Sequence, residues 1–78
     1  MKILIISMFS YALQVKGKEI ESKYPQCEVT TIFAFPDDIG WKLAGQQFDF
    51  CFADIYYSSE EIGRIREHIQ GKGKIERF

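Results

Sequence analysis

The chain opens on Lys2–Ile6, KILII, an apolar run without polar alternation. This stretch constrains the fold more than any other. A strand with one face in water alternates apolar and polar residues. A strand buried on both faces does not, and such strands belong to parallel sheets covered by helices. Parallel neighbours need a crossover, usually helical, and the next segment supplies one. Leu13, Gly17, Ile20 and Tyr24 are spaced 4, 3 and 4, which puts them on one helical stripe. Gly17 lowers helix propensity by about 1 kcal/mol relative to Ala. Its place on the apolar stripe predicts a close approach of helix to sheet. Pro25 ends the helix, because the residue before a proline is pushed out of the α region.

The same alternation continues. CEVTTIF, residues 27–33, is β-branched and aromatic and predicts a second strand. PDDIGWKLAGQQ follows, with Pro36, Asp37 and Asp38 suited to a helix first turn. Ile39 and Leu43, with Trp41 beside them, form its short inner face. FDFCFADIYY, residues 48–57, predicts an interior third strand, with Phe48, Phe50 and Phe52 on one side and Cys51, Ala53 and Ile55 on the other. Ser58 to Glu61 reads as a capping box. Ile62, Ile65 and Ile69 then form a helical stripe that Gly71 stops. KIERF is a short edge strand or a tail. Right-handed crossovers then give a small three-layer α/β/α sandwich around a parallel sheet, in the flavodoxin-like order 2-1-3. Residues 1–71 form a single domain, and 72–78 a short C-terminal strand or tail.

At 78 residues, a chain buries only about 60–65% of its unfolded surface, so a partner is expected. Ten Lys and Arg against eleven Asp and Glu give a net charge of −1. That is no field for phosphate backbones, so no nucleic-acid contact is expected of this domain. GKGKIER, the one local basic excess, reads as solvated. Cys27 and Cys51 lack CxxC spacing and read as reduced, buried thiols of a cytoplasmic protein. With one histidine besides, no metal site and no cofactor are expected. Gln14, Lys16 and Lys18 come too early for a signal peptide, and no stretch approaches the ~18 apolar residues of a membrane span.

Ligands in open parallel sheets sit beyond the carboxyl ends of the strands. Here that place is SMFSYA, with Ser7, Met8, Phe9, Ser10 and Tyr11 as the candidate ligand or phosphate loop. A phosphate cradle needs inward backbone N–H groups and therefore glycine. The loop has none, and Phe9 and Tyr11 crowd an incoming anion. Ser7 and Ser10 read better as helix caps. Ser7 as a nucleophile needs an adjacent base. The sole histidine, His68, reads as a helix-end residue facing the C-terminal dipole. Asp54 stands near the end of the third strand, where a receiver-type phosphoacceptor sits. The acidic pair that would hold Mg²⁺ after the first strand is replaced by Ser7 and Met8. No catalytic residue is assigned.

MKILII, the loop and helix, CEVTTI and FDFCFADI together resemble the IIB domain of the bacterial sugar phosphotransferase system. The family's third strand begins with an aromatic-Asp-apolar pattern, matched by Phe48, Asp49 and Phe50. The family's loop opens Cys-x-x-Gly, and its cysteine carries the phosphoryl group. Ser7 stands in place of that Cys and Ser10 in place of that Gly. The chain is therefore similar to degenerate IIB domains lacking the phosphocysteine, as at the C-terminus of Mga-type transcription regulators. The resemblance implies a non-catalytic regulatory and self-association domain, a homodimer, cytoplasmic, belonging with other domains of a longer regulator that contact DNA. The alternative is a phosphocarrier with a non-cysteine acceptor such as Ser7. A flavodoxin-like binder of an anionic ligand ranks last. Phe9, Tyr11, Tyr56 and Tyr57 fall after neighbouring strands 1 and 3 and form the candidate interface, since interface cores are rich in aromatics.

Overall fold

The computed structural model describes residues 1–71 and 73–78; Lys72, in the basic C-terminal run, lies outside the described residues. The chain forms β1 (Lys2–Ser7), α1 (Ser10–Lys23), β2 (Glu28–Phe33), a 3₁₀ turn (Pro36–Asp38), α2 (Ile39–Lys42), β3 (Phe50–Ala53), α3 (Ser59–Arg66) and β4 (Ile75–Arg77). The sheet runs β2-β1-β3-β4 with every pair parallel. The expected 2-1-3 order is present, and KIERF adds a fourth strand outside β3. The unbroken apolar run of β1 lies at the centre, as a strand covered on both faces must.

Two clusters fill the space on either side. Ile3, Ile5 and Phe52 pack with Leu13 and Ile20 of α1 on one face. Leu4, Ile6, Cys51 and Ala53 pack with Ile39, Leu43 and Ile65 on the other. Gly17 makes the close approach its position predicts: a Cβ there would lie 3.2 Å from Cγ2 of Thr31. Burial pushes the Cys51 thiol up to about 12, against a smaller opposing pull from Arg66, so this sulfur stays protonated and inert. Cys27 is free and half-buried.

Three elements differ from the sequence reading, each for a local reason. The segment after β2 is a 3₁₀ turn and a single α turn, and Trp41 points outward, its indole N–H donating to Asp38 Oδ1 at 3.1 Å. Ile39 and Leu43 are buried as expected. β3 is four residues long, because Asp54 turns its carboxylate back onto the Tyr56 amide and ends the strand. Phe48 makes only an isolated bridge, with Ile69. α3 has the expected capping box on Ser58 and Glu61 but ends at Arg66, before Gly71. There the backbone leaves the helix to bond Phe48: Phe48 N–H donates to His68 O at 2.8 Å, and Gln70 N–H to Phe48 O at 2.7 Å. His68 accordingly lies just past the C-cap Glu67, its N–H donating to Ile65 O at 2.9 Å and its Nδ1 3.1 Å from Gln46 O.

Gly73 admits the chain to β4. A Cβ there would lie 2.5 Å from both Asp49 O and Ile69 Cγ2, closer than any real side chain is tolerated.

Candidate functional site at the carboxyl end of the sheet

β1 and β3 are neighbours, with Ile6 opposite Ala53. The residue that follows each is polar: Ser7, the last of β1, and Asp54, just past β3. The two meet. Ser7 Oγ donates to Asp54 Oδ2, and both residues are buried, at 0% and 3% exposure. The remaining capacity is also filled. Asp54 Oδ1 accepts from Tyr56 N–H at 2.8 Å, and Ser7 Oγ accepts from Phe9 N–H at 3.0 Å. Among the described residues no buried side-chain N or O lacks a partner.

Three further groups frame this pair. The Phe9 ring stands edge-on to Tyr56, with centroids 5.4 Å apart at 67°, and both rings are exposed. Tyr57 lies beneath, buried in the core, its hydroxyl donating to Ala34 O at 2.5 Å. Burial, and next the charge of Asp54, push its phenol above the ordinary range. Arg77 of β4 holds the turn from the side. Its Nε donates to Asp54 O at 3.2 Å, and its Nη2 to Ile55 O at 2.6 Å and Tyr57 O at 2.5 Å.

This geometry corrects two expectations. Tyr57 is not part of an exposed aromatic patch, because its ring completes the core under the turn; Phe9, Tyr11 and Tyr56 are exposed. Neither Ser7 nor Ser10 caps α1. The N-cap position is Phe9, with no side-chain cap bond, and Ser10 is the first helical residue. Ser7 caps its own loop instead, through the Phe9 amide. Met8 is half-buried and packs onto the α2 and α3 side of the sheet. The loop residues Ser7 to Tyr11 thus divide into a sealed inner end and an aromatic outer end.

The inner end is closed to solvent. A serine nucleophile must reach an electrophile and pass its proton to a base. The Ser7 hydroxyl is enclosed and already directed at Asp54. The inward amide at the bend, that of Phe9, is already engaged by a side-chain oxygen. Among the described residues no cluster of His, Cys, Asp and Glu suits a metal ion, and no helix is long and apolar enough to cross a membrane. Sequence reasoning singled out Ser7 and Asp54 separately and missed their contact. The signal was present: each is the first polar residue after an apolar run, Ser7 ending β1 and Asp54 following β3, on strands the 2-1-3 order makes neighbours. Arg77 carried no comparable signal.

Compared with protein-family models, with curated proteins and with solved structures, the chain matches none.

Proposed function

We infer that this chain is a non-catalytic association domain: a IIB-like regulatory and self-association module of a bacterial transcription regulator. One observation carries the non-catalytic part. At the position where a parallel sheet presents its ligand or nucleophile, Ser7 and Asp54 bond each other in a buried pair. The rim supports association with companion domains. Phe9, Tyr11, Tyr56, Phe33 and Phe35 are exposed near the carboxyl ends of three strands, and exposed aromatics of this kind are the usual anchors of interfaces. The regulator setting rests on the resemblance to degenerate IIB domains, and the rim is the surface offered to companion domains of the longer protein.

Two measurements test the reading. Incubation with the general phosphotransferase proteins and labelled phosphoenolpyruvate is expected to leave this chain unlabelled. Label on Ser7 would replace the proposal with the phosphocarrier alternative. Light scattering over a concentration series is expected to show reversible self-association, and a strict monomer at millimolar concentration would refute it.

A further inference from the structure

The two edges of the sheet are unlike. β4 is three residues long with Glu76 at its centre and Arg77 tied into the Asp54–Tyr57 turn. Pairing β4 with a second β4 about a two-fold axis sets Glu76 against Glu76, which repels. β2 is six residues long, EVTTIF, with its only charge at the first position and no proline. Its bonds to β1 are bracketed by Glu28 N–H to Met1 O and Ala34 N–H to Ser7 O, both 3.0 Å. Backbone groups alternate along a strand, so the N–H and C=O of Val29 and Thr31 face outward. The next outward carbonyl, that of Phe33, is taken by the Lys42 ammonium.

We propose that a second copy of this chain pairs with the β2 edge, antiparallel, about a two-fold axis through Thr30. The inference rests on the self-association reading above and names its surface. In this register Val29 and Thr31 of one chain exchange N–H···O=C bonds with Thr31 and Val29 of the other. All four groups of Val29 and Thr31 are used on each chain, and the Phe33 carbonyl stays with Lys42. Thr30 meets Thr30 across the axis, a favourable cross-strand pair, and no like charges stand opposite.

The helices fit the same axis. α1 lies over both β1 and β2, so continuing the sheet at about 4.8 Å per strand sets the two α1 helices about 10 Å apart, an ordinary packing distance. Between α1 and the β2 edge lies an open groove of about 470 Å³, lined by Gln14, Gly17, Lys18, Glu21 and Thr31 among others, where the second α1 seats. Gly17 lies over Thr31. One strand residue, from Thr31 to Thr30, equals about two residues of the antiparallel helix. The axis therefore crosses α1 near residue 19, which sets Lys18 of each chain opposite Glu21 of the other. Among the described residues neither Lys18 nor Glu21 has an ion-pair partner within the chain.

Sedimentation equilibrium on the full chain tests this. Thr31→Pro removes an outward donor that the fold itself does not use. It is expected to weaken the dimer about tenfold or more, with the circular dichroism of the folded chain retained. Lys18→Glu is expected to weaken it about threefold, and Lys18→Glu with Glu21→Lys to restore it. These surface changes decide the matter if the proline variant does not fold. Tyr11→Ala and Tyr56→Ala are expected to leave the dimer unchanged. A dimer that ignores Thr31→Pro and the charge exchange but dissociates on the tyrosine changes overturns the β2 pairing and leaves self-association standing. A monomer throughout overturns both.

Discussion

The carboxyl end of the sheet and its β2 edge differ in what their polar groups are doing. At the carboxyl end, where this architecture ordinarily meets its ligands, Ser7, Asp54, Phe9 N–H and Tyr56 N–H bond one another. At the β2 edge, four backbone groups of Val29 and Thr31 bond nothing else among the described residues. Hydrogen-bonding capacity that is internally satisfied stabilises a fold. Capacity left open on an edge whose only charge stands at its first residue invites another strand. That difference supports the proposed pairing at the β2 edge.

Breaking the closed region should have the largest effect. Asp54→Ala leaves the Ser7 hydroxyl and the Tyr56 amide without their acceptor in a buried place. It is expected to lower unfolding free energy by about 3 kcal/mol in urea denaturation. Gly73→Ala sets a methyl group against Asp49 O and Ile69 Cγ2 and is expected to cost about 2 kcal/mol, loosening β4 and with it the Arg77 brace. Tyr57→Phe removes the bond to Ala34 O and should cost about 1 kcal/mol. The phenol also gives a pH signature. Its folded-state pKa is raised above the unfolded value of about 10, so the folded state holds the proton longer. Stability is complete below pH 10 and falls as pH rises above it, and Tyr57→Phe should flatten that alkaline decline. The smallest effect sharpens the contrast: Thr31→Pro, expected to weaken the proposed dimer, should change the stability of dilute monomer by less than about 1 kcal/mol.

Much of the fold was legible because it rests on periodicity. KILII at the centre, the close approach of α1 to the sheet at Gly17 and the Ser58–Glu61 capping box all follow from local pattern, and the structure has each. What was illegible depended on tertiary partners. Phe48 was counted into β3, but its backbone bonds go to His68 and Gln70, which also ends α3 before Gly71. Tyr57 carries the same local pattern as Tyr56, and only the space beneath the turn separates a core ring from a surface one. Of the site, Ser7 and Asp54 were visible singly. Their pairing required the strand order and the Ile6–Ala53 register together. The Arg77 contacts depended on the final strand joining the sheet, which composition alone left open.

Residue-resolved amide hydrogen exchange at low and high protein concentration tests the contrast most directly. The account predicts that Phe9 and Tyr56 are protected at every concentration, held by Ser7 and Asp54, while Val29 and Thr31 gain protection only as concentration rises. Freely exchanging Phe9 and Tyr56 amides, or Val29 and Thr31 amides indifferent to concentration, would contradict it.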